Sequence, residues 1–181
     1  ALETRWGPRR CLFFYFVCAV GAAVLHMGYT WYEMTELENI IASFKNQPDI
    51  ETYRRFIDFS GIGEIPQMKD LSNRISRGLT PDLIGEASLR MNEFYGIKLN
   101  IPVVGASGAI YGLLLGFGML FPNAELMLIF LPIPIKAKYF IPLLMLGELY
   151  LGFNQFSWDN IAHFAHLGGA VTGFFLILYW R

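Results

Sequence analysis

Three side chains in this sequence could do chemistry together: the hydroxyl of Ser107 and the imidazoles of His163 and His166. A serine hydroxyl is a poor nucleophile until a base removes its proton, and a neutral imidazole can do so near pH 7. Ser107 lies in Gly105-Ala106-Ser107-Gly108, at the opening of an apolar run. If that run is helical, its first turn offers unpaired backbone N–H groups and the positive end of the helix dipole, both suited to a developing oxyanion. The histidines lie in Ala162-His163-Phe164-Ala165-His166-Leu167-Gly168-Gly169, at the opening of a later apolar run. Histidines inside a membrane span are costly and point to a function with a partner. Serine and histidine from adjacent helices, in a site that admits water, are sufficient parts for peptide-bond hydrolysis. No Asp or Glu at comparable depth is evident as a third member, since Asp159 lies in the loop before the histidines. The expected arrangement is a dyad. It is not the hydrolase nucleophile elbow, because Gly105-Ala106-Ser107-Gly108-Ala109 lacks the second glycine of G-x-S-x-G.

Helices must bring these groups together. Residues 103–121, bracketed by Pro102 and Pro122, contain no charge, and a helix of that length covers roughly the hydrocarbon thickness of a bilayer. Gly108, Gly112 and Gly116 recur every fourth residue, as do Ala165, Gly169 and Gly173. Two such smooth faces let backbones approach until a histidine nitrogen reaches a serine oxygen. The competing reading of the same stripe is helix packing alone.

The composition, 54% hydrophobic and 16% charged with the apolar residues in long runs, is that of a multi-span membrane protein. The expected fold is an all-α, polytopic helical bundle, one membrane domain over residues 1–181, with spans at about 11–32, 103–121, 139–153 and 161–180. Residues 33–100 hold eight of the fourteen Lys and Arg residues and most of the acids, broken by Pro48, Pro66 and Pro81. They read as a soluble helical insertion, with Leu37, Ile40, Ile41 and Phe44 on one helical face and Thr80-Pro81 as a helix start. In 126–135, Pro132 and Pro134 forbid a continuous helix and imply an extended or interfacial connection. Cys11 and Cys18 would be about 10 Å apart on one helix, too far for a disulfide. Arg5, Arg9, Arg10, Lys136, Lys138 and Arg181 all fall on one side of the four spans, which the positive-inside rule makes cytoplasmic. Ser107 and the histidines then lie toward the outer face. Glu148 sits inside the third span, either as a polar partner of a neighbouring span or, the favoured reading, near an edge where it reaches water. No basic cluster suggests nucleic acid.

The chain resembles the rhomboid family of intramembrane serine proteases. The resemblance rests on Gly105-Ala106-Ser107-Gly108 opening a span, Tyr111 one turn later, and Ala165-His166-Leu167-Gly168-Gly169 with Gly173 in the last span. It implies Ser107 as nucleophile and His166 as general base, with Tyr111 packed against the histidine ring and the Ser107 backbone N–H in the oxyanion hole. Gly105, Ala106, Gly108 and His163 would line the site. No metal or cofactor is implied. The partners would be transmembrane protein substrates within the lipid bilayer, and the setting a bacterial cytoplasmic membrane. The family also carries a histidine and an asparagine on an earlier span, which these residues do not match. Leu2-Glu3 and Trp6-Gly7 resemble the loop just after that span, so the chain is expected to be a piece lacking its first two spans, inactive or unstable alone. The alternative is a catalytically inactive rhomboid-like protein that binds transmembrane clients.

Overall fold

The structure, a computed structural model, describes residues 1–101, 106–128, 131–154 and 161–180. Helix α1 (Leu2–Trp6) leads into α2 (Pro8–Asn46), followed by α3 (Ile50–Ser60), α4 (Pro66–Ile75), α5 (Pro81–Leu99) and α6 (Ala106–Leu120). Strands β1 (Glu125–Leu128) and β2 (Leu131–Lys136) come next, then α7 (Ala137–Asn154) and α8 (His163–Trp180).

Two features differ from an all-helical chain cut at residue 33. The proline-bearing connection is an antiparallel hairpin that pairs Glu125 with Lys136 and Leu126 with Ile135. Proline cannot continue a helix, and each strand of a two-stranded ribbon has a free edge that tolerates it. Helix α2 runs without a break through Glu33, joining the apolar run to the helical face of Leu37, Ile40, Ile41 and Phe44. Charge changes there, but no glycine or proline occurs between Tyr29 and Asn46 to stop the helix. The stop comes just before Pro48.

The chain forms two compact units, one of Ala1–Tyr29, Val103–Phe153 and Ile161–Arg181, the other of Thr30–Pro102 and Asn154–Asn160. In the second unit, Leu37, Ile40 and Phe44 of α2 are buried with Tyr53 and Phe56 of α3, Leu71 and Ile75 of α4, and Ala87 and Met91 of α5. Ile41 packs against the edge of this core. Side chains fix where the helices begin. Asp49 caps α3, accepting from the Thr52 backbone N–H at 2.8 Å and the Thr52 hydroxyl at 2.6 Å. Thr80 caps α5, with Pro81 in the first turn. Glu33 is buried in a pair with Lys98.

The first unit is built on small residues. A methyl group placed on Gly169 of α8 would overlap the Gly108 carbonyl of α6, and one on Gly112 would come within 2.8 Å of the Gly169 carbonyl. Helix α2 packs against both. Its Ala22 abuts Gly108, and its Cys18 abuts Gly112. Gly168 of α8 lies against Gly21 and Leu25. Cys11 and Cys18 are free thiols. At one end, Trp6, Phe14 and Trp180 form an aromatic cluster.

Among the described residues, α2 and α8 are long and apolar enough to cross a bilayer, and the apolar α6 is shorter. Phe13, Phe16, Val20, Val24 and Met27 of α2 and Leu143, Leu146 and Phe153 of α7 are exposed. In water such a belt would drive aggregation, whereas hydrocarbon is its natural solvent.

Two outcomes follow from the packing and the caps. Gly169→Ala is expected to cost at least about 3 kcal/mol by overpacking, while Gly28→Ala, whose new methyl meets nothing within 4 Å, leaves the melting temperature unchanged or raised. Thermal melts in detergent distinguish the two. The Thr52 hydroxyl and backbone N–H hold the Asp49 carboxyl below its usual range, so its stabilisation is present above that range and fades as pH falls through the lowered value. Asp49→Ala should therefore raise amide exchange at the start of α3 by roughly fivefold at pH 7, about 1 kcal/mol. The difference should close as pH falls below about 4.

Candidate functional site

The site lies within the first unit, where three helices each contribute. Helix α6 supplies Ser107, its second residue, and Tyr111 one turn later on the same face. Helix α7 supplies Glu148, and the first turn of α8 supplies His163 and His166. Glu148, His163 and His166 are 7%, 6% and 7% exposed, and Ser107 is half-buried.

The organising group is the Glu148 carboxylate. Its Oε2 lies 2.6 Å from His163 Nδ1 and 2.9 Å from His166 Nδ1, and its Oε1 accepts from the Tyr111 hydroxyl. An ionised carboxylate can only accept, so both imidazoles present Nδ1–H to it. Three donors converging on one carboxylate are what makes a buried negative charge tolerable. The Tyr111 ring lies flat against the His166 imidazole, with centroids 4.0 Å apart and planes 5° from parallel. His166 is thus held on one face by an aromatic ring and at Nδ1 by an anion, which leaves Nε2 as its basic nitrogen.

Gly108, next to Ser107, faces Ala165, next to His166: a methyl on Gly108 would lie 2.8 Å from the Ala165 carbonyl oxygen. Ser107 and His166 are therefore each one residue from the same backbone contact. Ala106 is exposed at the start of α6. Gly108, Gly112 and Gly116 of α6 and Gly169 and Gly173 of α8 are buried along the helix contact. Gly105 lies outside the described residues.

Glu148 corrects the sequence reading. It does not reach water at the edge of its helix, and the histidines do not lack an acid at their depth. One signal could have found it. Glu148 lies six residues before the end of α7 and His166 three residues after the start of α8, on two helices consecutive in sequence. At about 1.5 Å per residue both sit within one to two turns of those helix ends. His163, expected only to line the site, shares the carboxylate oxygen with His166.

Glu148, His163 and His166 are also of the types that ligate metals, with ligand atoms all within 4.8 Å of one another. Ligand atoms about 2.1 Å from a tetrahedral zinc stand about 3.4 Å apart. Separations of 2.6 and 2.9 Å are those of shared protons instead.

Residues 83–181 match the family model described as Rhomboid domain. No curated protein and no solved structure matches the chain.

Proposed function

The chain belongs to the rhomboid family, and from that premise we propose that it is an intramembrane serine endopeptidase with Ser107 as nucleophile and His166 as general base. The observation that carries this reading is the constraint on His166. Its ring is stacked on Tyr111 and tied at Nδ1 to Glu148, while Ser107 stands one turn before Tyr111 on the same face of α6. His166 Nε2 takes the Ser107 proton as Oγ attacks the carbonyl carbon of the scissile bond. The oxyanion forms near the start of α6, where backbone N–H groups lack helical acceptors and the dipole is positive. Collapse expels the amine, which receives the proton from His166, and leaves an acyl group on Ser107. Water, deprotonated by His166, then releases the acid and restores the serine.

The substrate is a transmembrane segment whose small or helix-destabilising residues let the chain unwind and expose a peptide bond. Cleavage occurs near the outer membrane face, in a four-span arrangement of 11–32, 103–121, 139–153 and 161–180 with residues 33–100 outside the membrane. The residues assigned to the reaction call for no cofactor. Other rhomboid-like proteins bind transmembrane clients without cutting them, and this reading would gain if the serine proved unreactive.

A fluorophosphonate probe on the full-length protein in liposomes tests the nucleophile: labelling should occur and vanish in Ser107→Ala, and labelling that survives the substitution sinks the assignment. For the base, His166→Ala should lower the cleavage rate of a transmembrane substrate by about 10³-fold or more, and His163→Ala by about tenfold. Equal total loss in both variants would remove the distinction between the histidines.

A further inference from the structure

We infer that Glu148 is a positioning residue of this reaction, a third member that acts through His166 and is absent from a serine–histidine pair. The inference rests on the assignment of Ser107 and His166 above.

Three observations carry it. The carboxylate meets His166 at Nδ1, 2.9 Å away, and so selects the tautomer whose Nε2 lone pair can accept a proton from serine. Its other oxygen accepts from the Tyr111 hydroxyl, and the Tyr111 ring stacks on His166. Tyr111 therefore steadies both the imidazole and the acid that orients it. The carboxylate and both imidazoles are buried, so a counter-charge at hydrogen-bond distance is screened little by water.

During the reaction His166 gains a proton at Nε2 and keeps its Nδ1–H on Glu148. The positive charge then appears beside a carboxylate already in place, with no reorganisation needed. Glu148 itself neither gains nor loses a proton. His163 donates to the same oxygen at 2.6 Å, and with Tyr111 on Oε1 the carboxylate has no free direction in which to turn. A tie between helices α6, α7 and α8 would need only a neutral polar group. A negative charge at the distal nitrogen of the base does more than tie.

The test uses the full-length protein in liposomes with a transmembrane substrate. Glu148→Gln keeps the size of the side chain but presents an amide that can donate to Nδ1 and favour the wrong tautomer. It should lower kcat by up to about 10⁴-fold, the loss seen when the acid of a serine–histidine–acid set is neutralised, with KM within about twofold. In a His166→Ala background the same substitution should lower the residual rate no further, because its effect runs through the missing imidazole. A purely structural Glu148 would cost as much in that background as alone, and such additivity overturns the inference, as does an unchanged kcat in Glu148→Gln. Should Glu148→Gln fail to fold, Tyr111→Phe decides. It keeps the ring stack and frees one carboxylate oxygen, and kcat should fall by roughly tenfold with KM held; wild-type kcat overturns the inference. Activity lost in Ser107→Ala with normal Glu148→Gln turnover removes Glu148 alone. Activity that persists in Ser107→Ala removes the nucleophile and this inference together.

Discussion

The backbone contact between α6 and α8 sets every other distance in the first unit. Side chains normally hold packed helices 8–10 Å apart. Where Gly169 meets the Gly108 carbonyl and Gly112 meets the Gly169 carbonyl, no side chain intervenes. Such approach is favoured in lipid because apolar side chains gain little there from leaving the solvent, and close dispersion contacts supply the attraction. Ala22 and Cys18 of α2 pack against Gly108 and Gly112. The polar residues of both helices are fixed as a consequence, since neither backbone can slide without forcing a carbonyl into a neighbouring Cα.

A carboxylate and two imidazoles in such a place reduce stability relative to well-packed apolar residues. The loss is limited because hydrogen bonds are matched to acceptors: Oε1 to one donor and Oε2 to two. The same matching makes the cluster brittle. Removing one donor leaves a strong acceptor underused in a dry environment, and removing the acid strands two N–H groups and a hydroxyl. The fold tolerates the group through mutual satisfaction, and that satisfaction gives each ring a single orientation.

How far the sequence could be read depends on the kind of signal. The helix cap at Thr80 and the face formed by Leu37, Ile40 and Phe44 are local, and local patterns survive without tertiary knowledge. The extended connection was legible because Pro132 and Pro134 act on their own backbone, although its strand register was not. Residue 33 was misleading: charge density changes there, but helix continuity depends on breakers and none is present. Glu148 was missed for a different reason. An acid within an apolar run has two outcomes, contact with water or contact with partners, and only the depth of its neighbours decides. That depth was calculable from the ends of α7 and α8, but the partners lie on two other helices and nothing near Glu148 in sequence announces them.

The family match begins at residue 83, within α5, yet the core of the first unit also requires α2. The residues that α2 contributes explain how a pattern and a packing unit can have different limits. Toward α6 and α8 it presents Cys18, Gly21 and Ala22, whose value is their small size. Its other side presents Phe13, Phe16, Val20 and Val24 to the outside, where hydrocarbon accepts almost any apolar side chain. A helix selected only for smallness on one side and greasiness on the other carries little identity in its sequence. The α6–α8 pair differs because specific chemistry adds to the packing demand: a hydroxyl, a phenol and two imidazoles must stand at fixed offsets from glycines. Chemistry and packing therefore coincide on α6 and α8, while α2 answers to packing alone.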